Sequence, residues 1–198
     1  MTNHNRSHLM NRRRFLIAST QLALGLCLVS PGELIAKSGS AKIVPLQANK
    51  KRHPKPLTLV HTHTQETFRL PFFRGTCPST IKHDLYSFLR DHRTGDIHPI
   101  DFRLMDILHS IQRETGSKGV YEVISGYRSP KTNSLLREGS FGVAKNSLHL
   151  KGQAIDVRLT DLKTRELRDV AISLKAGGVG YYAKSDFVHL DTGKIRAW

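Results

Sequence analysis

A chain of 198 residues, 38 % of them hydrophobic, is long enough for one domain with a sizeable core, and nothing in it calls for two. Lys and Arg number 31 against 16 Asp and Glu, and the resulting charge of +15 points to an anionic partner. Two cysteines, Cys27 and Cys77, exclude a disulfide scaffold, and no apolar run reaches the roughly 20 residues that a membrane-spanning helix needs.

Taken in chain order, residues 11–17 read NRRRFLI, an Arg pair followed by Phe and Leu, which resembles the twin-arginine export motif. An apolar run from Phe15 to Val29 follows, and small residues then offer processing sites after Ala36 or Ala41, so residues 1–41 are expected to be a signal peptide. Leu26 before Cys27 stands where lipid attachment needs a small residue, which argues against a lipoprotein. Removing residues 1–41 takes away five basic residues and one acid and leaves +11 on about 157 residues. An exported basic domain has no nucleic acid to meet. The cell wall, an anionic polymer with peptide carboxylates, fits both the charge and the compartment, which is expected to be the periplasm.

Residues 42–56 are rich in Lys and Pro and are expected to be a flexible linker, with the domain proper over residues 57–198. Alternation predicts a hairpin with strands near 57–62 and 67–72. Helices are predicted near 79–91, over 101–114 with Asp101 as N-cap and Gly116 as stop, and over about 163–175. Strands are predicted at 121–125, 153–159 and 187–191, with the stretch GYRSPKTN after the first of them read as turn. This mixture lacks regular βαβ alternation and predicts an α+β fold, a small mixed or antiparallel sheet with helices packed on it.

The chemistry gathers on two of these strands. From 153 onward, Gln153, Ile155, Val157 and Leu159 share one face and Ala154, Asp156 and Arg158 the other. His149 precedes the strand, and Gly152 permits a turn that folds it back over Asp156. In FVHLD, residues 187–191, Phe187, His189 and Asp191 share an open face while Val188 and Leu190 point to the core. His149, Asp156 and His189 then make two imidazoles and one carboxylate, the ligand set of a catalytic zinc site with a position left open. Among the other histidines, His61 and His63 are read as polar positions beside a turn, and His83, His92, His98 and His109 as ordinary polar residues. Cys77 is read as a small buried thiol.

The segments SLHLKGQAID and DFVHLD resemble the ligand pattern of the zinc D-Ala-D-Ala peptidases, the superfamily that also holds lysostaphin-type enzymes and the hedgehog signalling domain. Together with SGYRS at 125–129 and GGVGYYAKSDFVHLDTG near the end, they resemble the MepK-like murein endopeptidases within it. The resemblance implies one Zn2+ per chain on His149, Asp156 and His189. It implies Arg128 as the cation that steadies the oxyanion, and Ser147 and Tyr127 as substrate contacts. It further implies metal-assisted hydrolysis of the D-Ala to meso-diaminopimelate cross-link of peptidoglycan, without a covalent intermediate. Two acids compete for general base: Asp186 has the acid-x-x-His precedent, while strand parity favours Asp191, on the face of His189. Asp191 is preferred here. A stem-peptide carboxypeptidase and a non-catalytic zinc-containing wall-binding module are the alternative readings. Partners implied are peptidoglycan and the twin-arginine export machinery, without nucleic acid and without a stable membrane span after processing.

Overall fold

The computed structural model describes residues 55–73, 76–139 and 143–198. The expected signal peptide and all but the end of the expected linker lie outside the described residues. Those described belong to one compact unit, Asn49–Trp198.

Leu57–His61 (β1) and Thr67–Leu70 (β2) form the predicted antiparallel hairpin, with Leu57 and Leu59 driven inward by strict alternation. Ser79–Phe88 (α1) follows, and then Arg103–Thr115 (α2), whose buried stripe includes Leu104, Leu108 and Ile111. Gly116 ends α2 in the left-handed region at φ 69°, where a side chain would be strained. The N-cap is Phe102 and not the expected Asp101, which stands one residue earlier and accepts the backbone N–H of Arg103 at 3.1 Å.

Tyr121–Ser125 (β3) leads into a fourth helix that the sequence reading took for a turn, Pro130–Gly139 (α3). A 3₁₀ turn, Leu148–Lys151, precedes Ala154–Leu159 (β4). Then come Thr164–Leu174 (α4), Gly178–Tyr182 (β5), Phe187–Asp191 (β6) and the short Arg196–Ala197 (β7).

Among the described residues the strands form one seven-stranded sheet in the order β2-β1-β3-β4-β6-β5-β7. The pairs β1–β3 and β5–β7 are parallel and the rest antiparallel, which makes this an α+β fold with a mixed sheet, as expected. Helix α4 packs on β4, β5 and β6 and against α2, closing over Ile155, Val157, Val188 and Leu190, none more than 1 % exposed. The opposite face of β4 and β6 carries the polar residues. Among the described residues no helix is long and apolar enough to cross a membrane.

Candidate metal centre

Two neighbouring strands and one turn build the site. Asp156 on β4 and His189 on β6 are directly paired across the antiparallel ladder, so their side chains leave the same face side by side. The third group, His149, comes from the 3₁₀ turn. Gly152 closes that turn at φ 61°, and a Cβ there would run into the Pro99 carbonyl. This is the fold-back that the glycine implied.

The three side chains converge. His149 Nε2 lies 3.2 Å from Asp156 Oδ1 and 3.1 Å from His189 Nδ1, and His189 Nδ1 lies 2.9 Å from the same Asp156 oxygen. The outer nitrogens fix the tautomers. His149 Nδ1 donates to the Gly126 carbonyl at 2.7 Å, and His189 Nε2 donates to Asp191 Oδ2 at 3.1 Å. When both imidazoles are neutral, both inner nitrogens therefore present lone pairs toward a carboxylate oxygen. Three lone pairs in contact repel unless a cation or a proton sits between them. Ligands about 2.0–2.1 Å from a tetrahedral zinc stand about 3.3 Å apart, close to the separations here, so the donor set fits a metal ion.

Burial and charge act against each other in this cluster. Burial pushes His149 below the usual imidazole range. For His189 burial also lowers the pKa, but hydrogen bonds to Asp156 and Asp191 outweigh it and raise the value to about 9. Burial raises Asp156, yet the two imidazoles more than reverse this and hold it well below the carboxylate range. The face expected to be open is covered: Asp156 is 5 % exposed and His189 8 %.

Arg128 stands beside the cluster. Its Nη2 lies 3.4 Å from Asp156 Oδ2 and 3.4 Å from Ser125 Oγ, while its buried Nε has no acceptor. Ser147 accepts the His149 N–H at 3.4 Å and so caps the 3₁₀ turn. Tyr127 stacks on His98, ring centroids 4.7 Å apart.

Asp191 departs from the expectation. It shares the face of His189, but it is fully buried and both its oxygens are taken. Oδ1 accepts from the N–H groups of Gly178 and Gly193 and from Arg196, and Oδ2 accepts from His189 and from Arg196 at 2.7 Å. No lone pair is left for a water on the inner side of the imidazole. Asp186 has the opposite setting. It is exposed at φ 52°, accepts the Thr164 hydroxyl at 2.6 Å, and approaches Arg158 at 3.9 Å. It borders a cavity of about 550 Å³ lined also by Glu122, Arg158, Thr160 and Lys163, beyond the metal cluster along β4.

The other polar residues singled out in the sequence lie apart from this cluster. His61 is buried, its Nδ1 accepting the backbone N–H groups of His63 and Thr64, and Cys77 is a buried free thiol. Sequence reasoning missed Arg196 and Trp198, which back the site from β7 and beyond it. The signal available was small: one Arg and the chain's single Trp two positions apart.

Residues 49–198 match the peptidase M15 family described as "Peptidoglycan L,D-endopeptidase MepK". The protein of that name from Escherichia coli K12 is 44 % identical over 148 residues, covering 73 % of this chain and 80 % of the relative. The "Probable peptidoglycan L,D-endopeptidase MepK" of Haemophilus influenzae is 37 % identical over 191 residues, 95 % of each chain. No solved structure matches. With a family match over most of its length and relatives aligned along nearly all of it, this chain belongs to the MepK family of M15 peptidases.

Proposed function

We propose that the protein is a zinc-dependent peptidoglycan endopeptidase acting outside the cytoplasm. The convergence of His149, Asp156 and His189 on one point, with tautomers set by Gly126 and Asp191, carries this reading. Zinc is preferred because two imidazoles and one carboxylate with a place left open are the ligands of a catalytic zinc site. When bound, the ion supplies Lewis acidity that activates water and polarises the scissile carbonyl.

The chain's own residues do the rest. Arg128, with a buried donor still free, steadies the negative charge that develops on the carbonyl oxygen. Asp186 takes the proton from the attacking water and returns it to the leaving amine. In a regular strand it would face away from His189, but its left-handed φ breaks the alternation. Arg158, which shares the face of Asp156, lies 3.9 Å away, but the hydrogen bond at 2.6 Å goes to Thr164 on α4, on the opposite side of the sheet, so acting as base requires Asp186 to leave Thr164. Asp191 holds His189 rather than acting as base. Ser147 and Tyr127 line the approach, as the family pattern implies.

The relatives' name also bears on the bond. An L,D-endopeptidase cleaves where the acyl-side residue is L, whereas a D-alanyl link has D configuration there. The D-Ala to meso-diaminopimelate link expected from sequence therefore gives way to an L,D cross-link. Export by the twin-arginine route, on the NRRRFLI motif, puts the enzyme in the periplasm with its substrate.

The test is a digest of sacculi and of two synthetic cross-linked peptides that differ only in the configuration of the acyl-side residue. Dimers should fall to monomers, the L,D peptide should be cut first, chelator should stop the reaction, and zinc should restore it. His189→Ala should lose both metal and activity. Shortened stems with intact cross-links would mean a carboxypeptidase, and binding without cleavage a wall-binding module.

A further inference from the structure

Beside His189 the metal face ends in a wall of three aromatic rings. Tyr182 and Phe187 are cross-strand partners on β5 and β6 and stack with centroids 4.6 Å apart. Trp198 leans over the same edge, its indole 5.3 Å from the His189 ring and its Nε1 donating to the Tyr182 hydroxyl at 3.2 Å. The seat for the indole is Gly180, opposite His189 in the ladder: a Cβ there would come within 2.7 Å of the ring.

Its backbone is fixed as well. The Trp198 N–H donates to Val179 at 3.2 Å and its carbonyl accepts from Tyr181 at 3.0 Å. Arg196 lies over the indole at 4.8 Å while binding Asp191, the partner of His189. So rigidly held a ring would normally be covered, yet Trp198 remains 51 % exposed. A large apolar side chain that is ordered, half open and in contact with a metal ligand is a ready surface for substrate.

We propose that Trp198, with Tyr182 and Phe187, is the subsite for the peptide residue flanking the scissile bond, taking its aliphatic side chain against the exposed part of the indole. The inference rests on the peptidase reading of the site. The distance chooses the occupant. An extended peptide advances about 3.3 Å per residue, so a ring 5.3 Å from a metal ligand meets the scissile bond's neighbour and not the glycan strand several residues away. Trp198 is thus a specificity-determining residue whose loss weakens binding more than chemistry.

The single tryptophan gives a direct readout. With zinc-loaded wild-type protein, a sugar-free stem peptide should change the indole emission saturably, while the peptide-free disaccharide should not. Trp198→Ala should keep about one zinc per chain and raise KM about tenfold, with kcat within about twofold, and Trp198→Phe should recover most of the loss. An unchanged KM in Trp198→Ala, loss of its zinc, or an emission change caused by the disaccharide alone would each overturn the proposal. A wild-type protein that binds the stem peptide in this titration but cleaves no cross-link would uphold the subsite and defeat the peptidase reading instead.

Discussion

Asp191 and Asp186 stand five positions apart in sequence and have opposite surroundings. Burial raises Asp191, but His189 and Arg196 overcome this and keep it ionised far below the carboxylate range. A carboxylate so placed fixes the imidazole's tautomer and strengthens it as a ligand. Asp191→Asn should therefore weaken zinc binding by roughly 10–100-fold while leaving turnover near normal once zinc is saturating. Asp186→Asn should keep its zinc and lose turnover by roughly 10²–10⁴. Zinc titrations followed by rates on cross-linked peptide check both, and near-normal turnover in Asp186→Asn would remove it as base. The shared face of His189 and Asp191 was legible in the sequence, because period two is enough to give it. The burial of Asp191 was not, since it depends on Arg196 and on the N–H groups of Gly178 and Gly193, which arrive from other strands and turns.

At the scale of elements, α3 matters because Arg128 is two residues ahead of it. Its entry is held by Asp91, 1 % exposed, which accepts the Ser129 N–H at 2.8 Å and the Arg93 N–H at 2.9 Å. The Ser129 hydroxyl in turn accepts the Thr132 N–H at 3.2 Å. Burial raises the Asp91 pKa, but the hydrogen bonds around Thr132, Ser129 and Arg93 outweigh it and bring the value down to about 2. A folded pKa below the unfolded one stabilises the fold above about pH 4, and the benefit is lost as pH falls through 2. The wild type should thus lose roughly 2 kcal/mol from this group across that window, by the linkage of about 1.4 kcal/mol per pKa unit. Denaturant melts from pH 5 to pH 2 should show a shallower slope for Asp91→Asn, and parallel curves would remove this role. Helix α3 escaped the sequence reading because the side chains it buries, Thr132 and Asn133, are polar and leave no apolar stripe to find. The two residues of β7 were too short for any periodicity. By contrast α2, α4 and the strands at 121–125 and 187–191 were legible from the spacing of their apolar residues.

For the molecule as a whole, the core and the metal centre lie on opposite faces of β4 and β6. The apolar cluster packs beneath α2 and α4 and uses none of the three ligands. A metal bound at the proposed site would then supplement stability rather than supply it, unlike small zinc domains that unfold without it. Chelated protein should keep a single cooperative melt and its near-ultraviolet signal. Zinc at a thousandfold its Kd should add about 4 kcal/mol, roughly 8–16 °C in Tm for a domain of this size. Loss of the cooperative transition on chelation would show instead that the site is part of the fold's foundation. The same separation explains why the α+β class was legible from pattern while the depth of the site was not, because pattern assigns faces and only the packed chain decides what covers them.

The strand order has a consequence for how the proposed metal site is assembled. His189 lies on β6, which inserts between β4 and β5, so Asp156 gains its partner only after the chain beyond residue 189 has been made and paired. Neither His149 nor Asp156 offers a competitive chelate before that moment. The first ion to reach the completed site is therefore offered by whichever compartment the fold is completed in, and it can still be exchanged afterwards in the folded protein. Twin-arginine cargo, as proposed for this chain, folds before it crosses the membrane. Divalent copper outcompetes zinc at nitrogen and oxygen sites of this kind, and assembly behind the membrane would shield the nascent site from copper outside it.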